Sequence, residues 1–176
     1  MWVASMNAIP EVETVETVSS GWAELALAVG GFGIGTGEFA IMGLLPNVAG
    51  NLGISIPRAG HVISAYALGV VIGAPLIAVI AARWPRRRLL LALMACFAAG
   101  NFASALAPGY ASLIAVRFIA GLPHGAYFGV ASLVAASLVA ANQRARAIGR
   151  MMLGLTGATL AAPLPDSLAK ITTRDP

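Results

Sequence analysis

Glu38, Arg117 and His124 are the residues whose types and positions can do chemistry, because each is ionisable and each lies in a stretch otherwise built of apolar side chains. A charge at the centre of a membrane helix costs roughly 2.5–3.5 kcal/mol on an insertion scale, so such residues turn to a polar cavity or a partner. Glu38 stands seven residues before the end of the first long apolar run and Arg117 seven residues after the start of the fourth. At about 1.5 Å of rise per residue both sit ~10 Å deep, which predicts that they face one another. A carboxylate and a guanidinium so paired can take up and release a proton as the pairing changes, or can form a fixed ion pair that only orders two helices.

His124 sits within Pro123-His124-Gly125. Proline removes a backbone hydrogen bond and glycine weakens the helix, so Gly121, Pro123 and Gly125 predict a kink near mid-membrane. The imidazole titrates in the range useful for proton transfer; it can equally bond a carbonyl that the kink frees. Tyr66, Asn101, Tyr127 and Ser132 offer polar groups to a cavity or hydrogen bonds between helices. Glu24 lies close to a membrane interface, where its carboxylate can stay hydrated.

The elements that must hold these residues are membrane helices. Of 176 residues 59% are hydrophobic and only 10% charged, well below the roughly 25% of a soluble domain. A crossing needs about 20 apolar residues. Four segments qualify, at 22–45, 62–82, 89–106 and 110–140. A fifth helix is expected to start at 148, but its apolar run from Met151 is broken by Pro163 and Pro165 and followed by Asp166, so the crossing is incomplete. Residues 1–21, with Glu11, Glu13 and Glu16 and no basic residue, read as a flexible acidic tail. They do not form a secretory signal.

Orientation follows from arginine. An N-terminus in the cytoplasm keeps Arg83, Arg86, Arg87, Arg88, Arg144, Arg146 and Arg150 inside and leaves only Arg58 outside. The segment 46–60 is then an external loop. The net charge of +4 lies in these short gaps and not on one polar face, which excludes a nucleic-acid partner. Gly30, Gly31, Gly33, Gly35 and Gly37 crowd the first span, and Gly69 and Gly73 stand four apart in the second. The string GGFGIGTG has no preceding strand and lies at membrane depth, so it signals close helix packing and not a phosphate loop. Cys96 is the only cysteine, and no Cys/His spacing suggests a metal or any other cofactor.

Four strings carry a resemblance: GEFAIMGLLP at Gly37 to Pro46, SAYALGVVIGAPL at Ser64 to Leu76, ARWPRRR at Ala82 to Arg88, and RFIAGLPHGAYFG at Arg117 to Gly129. In this order the chain resembles the major facilitator superfamily, specifically the drug:proton antiporter branch that includes sugar- and arabinose-efflux permeases. The resemblance implies an all-α integral membrane fold, in which these residues form part of an N-terminal six-helix half with four complete helices and an incomplete fifth. Such transporters place the substrate cavity between two halves. Arg83, Arg86 and Arg87 match the basic positions of the family's cytoplasmic gating loop, whereas Ala78, Ala82 and Pro85 replace its glycine, aspartate and second glycine. Arg117 and Gly121 match the fourth-helix motif, whose arginine the family associates with proton coupling. Glu38 is similar to the acidic residue that many of these antiporters carry in the first helix.

The membrane domain so defined covers 22–156, and 157–176 reads as a divergent tail, expected from a truncated or frame-shifted product. The resemblance implies that the parent function is proton-coupled efflux of a small molecule, a sugar or a drug, across a bacterial plasma (inner) membrane. Its partners would be membrane lipid, a proton and that substrate. Enzymatic chemistry is not expected. The alternative from another class is a non-transporting membrane fragment or interaction subunit, since alternating access needs two halves rocking about a shared site.

Overall fold

Leucine, valine, alanine and isoleucine form long apolar runs, whose backbone polar groups must be bonded internally, and the computed structural model, which describes residues 17–161, is accordingly helical. Six α-helices follow in order: α1 (Thr17–Gly43), α2 (Leu45–Leu52), α3 (Ile56–Ile80), α4 (Arg86–Ala105), α5 (Tyr110–Ser137) and α6 (Arg144–Ala161), the last entered through a short 3-10 turn. Four of them, α1 from Gly21 onward, α3, α4 and α5, are long and apolar enough to cross a membrane. The 18-residue α6 is not among those four, because Arg144, Arg146 and Arg150 occupy its first two turns.

The boundaries have local causes. Helix α2 stops at Gly53, whose φ of 60° is the left-handed conformation that glycine adopts without a Cβ penalty, and its N–H closes back on Ala49 and Gly50. The Ser55 side chain then accepts a bond from the Arg58 N–H, with Pro57 in the first turn, so α3 starts at Ile56. Hydropathy alone starts this span at 62, since Arg58 and His61 dilute the apolar signal; the segment 46–60 is therefore largely helical and not a loop. Helix α6 likewise begins at Arg144 and not at 148, and it runs unbroken through Gly157 to Ala161. Residues 1–16 of the expected acidic tail and 162–176 of the expected divergent tail lie outside the described residues.

Helix α3 lies along α5 and α1 along α6, while α4 packs on α5. Small residues permit the first two contacts. A Cβ on Gly69 would strike the Phe118 carbonyl, and one on Gly121 the Tyr66 carbonyl, so α3 and α5 meet backbone to backbone. Gly154 meets the Ala28 carbonyl in the same way across α1 and α6. Helix α5 is continuous through Pro123, and Gly121 and Gly125, expected to weaken it, lie against the Tyr66 and Val70 carbonyls of α3. Large apolar side chains on every long helix face outward, among them Val29, Val79, Leu91, Phe102 and Leu153, each more than half exposed. An apolar surface on that scale matches a lipid solvent.

Candidate functional site

Arg117 and His124 are seven residues apart on α5, two turns along one face, so their Cα atoms are ~10 Å apart. Tyr66, delivered by α3 across the glycine seam, spans that gap. Its ring lies under the Arg117 guanidinium, 4.3 Å from ring centre to Cζ, and its hydroxyl is 2.7 Å from His124 Nδ1. A desolvated stack of this kind is worth about 2 kcal/mol. From α1, the Glu38 carboxylate places Oε2 3.9 Å from the same His124 Nδ1. From α4, Asn101 Oδ1 accepts a bond of 3.1 Å from Arg117 Nη1, while Asn101 Nδ2 donates to the Phe97 carbonyl. Four helices thus contribute to one polar cluster.

The cluster is graded in exposure. Arg117 and Tyr66 are each 2% exposed, His124 is 9% exposed, and the Glu38 side chain retains 29%. Glu38 is therefore the most exposed member of the cluster, and His124 is the next. Phe128 closes the far side of the imidazole, its ring centre 5.2 Å away. Arg117 Nε and Nη2 are buried without a hydrogen-bond partner. Those two nitrogens form one edge of the guanidinium, the edge that can hold both oxygens of a carboxylate.

Glu38 and Arg117 were expected to face one another directly. The structure brings both into the cluster but sets the carboxylate against His124, and no Glu38–Arg117 pair within ion-pairing distance occurs among the described residues. The reason is rotation about the helix axis, which turns the Glu38 side chain toward His124, while Arg117 is held by Asn101 through Nη1 and by the Tyr66 ring through its flat face.

A second carboxylate of α1 behaves differently. Glu24 is 6% exposed and pairs with Arg150 of α6 at 3.3 Å. The sequence places both at the same membrane end, Glu24 near the start of the first span and Arg150 near the start of the fifth helix, and that shared height is the signal that points to the pair. Nearby, the Tyr127 hydroxyl donates to the Leu27 carbonyl and ties α5 to α1. Arg83 lies in the turn before α4, and Arg86 and Arg87 in its first turn; all three are exposed and have no acidic partner among the described residues. Arg86 and Arg87 border a cleft of about 500 Å³ between α1, α4 and α5, lined mainly by apolar side chains such as Leu27, Leu90 and Met94. Among the described residues no group of three His, Cys, Asp or Glu side chains could hold a metal.

Residues 27–166 match the Major Facilitator Superfamily. The chain belongs to that superfamily. Within it, the chain is 51% identical over 136 residues to the inner membrane transport protein YdhP of Escherichia coli, covering 77% of this chain and 35% of that protein. It is 46% identical over 136 residues to the putative transporter AraJ of the same organism, and 40% identical over 135 residues to a chloramphenicol resistance protein of Streptomyces lividans. Each alignment covers 77% of this chain and 34% of the relative. The chain thus spans about a third of the length of the curated relatives it matches. Its four long helices and its family make it an integral membrane protein of the major facilitator type.

Proposed function

We propose that these helices belong to a secondary transporter that exports a small molecule, a sugar or a drug, in exchange for protons across a bacterial inner membrane. Transport and not catalysis is the function, in keeping with relatives named as transporters. In this reading the N-terminus and the Arg83 to Arg88 turn face the cytoplasm, supported by the seven-to-one arginine asymmetry. Export of a drug-like molecule is supported by relatives named for chloramphenicol resistance and chloramphenicol efflux.

One observation carries the proton-coupled reading: a partly exposed carboxylate, Glu38, stands 3.9 Å from a buried imidazole in helices that are otherwise apolar. In this reading a proton meets Glu38, the most exposed member of the cluster, first. It can pass to His124 Nδ1, after which imidazolium and carboxylate attract one another. Arg117 supplies a fixed positive charge beside the site and a free guanidinium edge on which the deprotonated carboxylate can settle. The charge and position of Glu38 thereby depend on whether the proton is present, which is what coupling to an alternating-access motion requires.

Proton-coupled efflux tests the proposal in a complete relative carrying the same GEFAIMG and GLPHGAYFG strings, reconstituted in proteoliposomes. The residue matching Glu38 is changed to Gln. Efflux should no longer be driven by a pH gradient, while downhill exchange of substrate persists. Undiminished proton-driven efflux would remove Glu38 from the coupling and end the proposal.

A further inference from the structure

We infer that Tyr66 is the positioning residue of this cluster: its hydroxyl holds His124 in the tautomer whose Nδ1, the nitrogen beside Glu38, lacks a proton. The inference deepens, and rests on, the reading of Glu38 and His124 as a proton-coupling pair.

Two oxygens approach one nitrogen. The Tyr66 hydroxyl is 2.7 Å from His124 Nδ1, and the Glu38 carboxylate is 3.9 Å from it. If Nδ1 carried a proton beside an ionised Glu38, the carboxylate would be its stronger acceptor, and the imidazole would close on Glu38 in preference to a phenol. The short contact is to the phenol. Nδ1 is therefore the acceptor, the Tyr66 O–H is the donor, and the neutral ring carries its proton on Nε2.

The groups around the imidazole complete the account. Glu38 reaches it from α1 and Tyr66 from α3, Arg117 lies two turns before it on α5, and Asn101 of α4 holds Arg117. Phe128 and the Tyr66 ring flank the imidazole and offer no competing hydrogen-bond group. Tyr66 cannot drift, because its ring is stacked on Arg117 and its backbone carbonyl abuts Gly121. The phenol thus arrives in a fixed position at the one nitrogen that Glu38 can also address.

The proton step balances without any redox partner. Protonated Glu38 gives its proton to His124 Nδ1, leaving a carboxylate and an imidazolium. The Tyr66 O–H, now facing another donor, rotates away, and its oxygen accepts at most a shared bond. Return of the proton to Glu38 restores the Tyr66 bond. Tyr66 exchanges no proton itself; it fixes which nitrogen takes one, and it competes with the proton for that nitrogen.

Nitrogen-15 NMR of the histidine-labelled chain in lipid bilayers reads the tautomer directly, at a pH where the imidazole is neutral. Wild type should show His124 with its proton on Nε2 and a bare Nδ1. Tyr66→Phe keeps the ring under Arg117 and removes only the hydroxyl. It should lower the ratio of the Nε2–H to the Nδ1–H form by about fivefold or more, the effect of one lost buried hydrogen bond. His61, whose Nδ1 lies 2.8 Å from the Tyr110 hydroxyl, is the internal control and should keep its signals. An unchanged His124 tautomer in Tyr66→Phe overturns the inference. So does an Nδ1–H tautomer in wild type, which decides the matter even if the variant fails to fold. A bare Nδ1 that depends on Tyr66, combined with proton-driven efflux that survives Glu38→Gln, would leave the positioning intact and remove the coupling role.

Discussion

Glu24 and Glu38 are two carboxylates on one helix, fourteen residues apart, and the structure treats them in opposite ways. Glu24 is nearly inaccessible and meets a permanent cation, Arg150, at 3.3 Å. Glu38 keeps 29% of its side-chain surface and stands 3.9 Å from a group that is charged only when protonated. The first arrangement joins α1 to α6 through a partner whose charge is permanent. In the proposed function the second changes its attraction when a proton arrives. Burial with a fixed partner makes a clamp, whereas partial exposure beside a titratable partner makes a switch, and residue type alone does not separate them.

Substitutions can break the comparison in order of effect. The largest should come from Gly121→Leu, which drives a side chain into the Tyr66 carbonyl and opens the seam that delivers Tyr66 to the cluster. We expect a loss of about 3 kcal/mol or more, seen as failure to recover folded protein in a detergent thermal-stability assay. The clamp should come next. Arg150→Ala strands the buried Glu24 carboxylate and should cost about 2 kcal/mol, less than a fully buried pair because Arg150 is half exposed. Glu24→Gln leaves only a half-solvated arginine and should cost about half as much in the same assay. Equal losses for the two changes would mean that stranding the Glu24 carboxylate carries no extra penalty.

The switch should show the reverse pattern. Glu38→Gln removes no close ion pair and should change stability by about 1 kcal/mol or less, with folded yield as the check. A large loss of stability would place Glu38 among the clamps and weaken the comparison.

Much of this was legible in the sequence. The four crossings show as apolar runs because lipid demands them, and the glycines of the second span mark the seam with α5 because only small residues let backbones touch. Capping is less visible: α3 starts at Ser55 and Ile56, in a stretch that Arg58 and His61 make polar. The eight-residue α2 is too short to leave a membrane-length signal. At the site, counting residues from the helix ends placed Glu38 and Arg117 at matching depth. Depth fixes height but not rotation about the helix axis, and rotation is what turns Glu38 toward His124. Tyr66 was visible only as one of several polar residues. Its part depends on α3 crossing α5 at Gly69 and Gly121, a register that no single helix contains.

The most direct test counts protons. In a complete relative carrying the same strings, addition of substrate to detergent-solubilised transporter in weak buffer should release a proton if Glu38 is the coupling carboxylate. Release should persist in Glu24→Gln and disappear in Glu38→Gln, with substrate binding retained in both. Loss of release in Glu24→Gln, or undiminished release in Glu38→Gln, would contradict the assignment of clamp and switch.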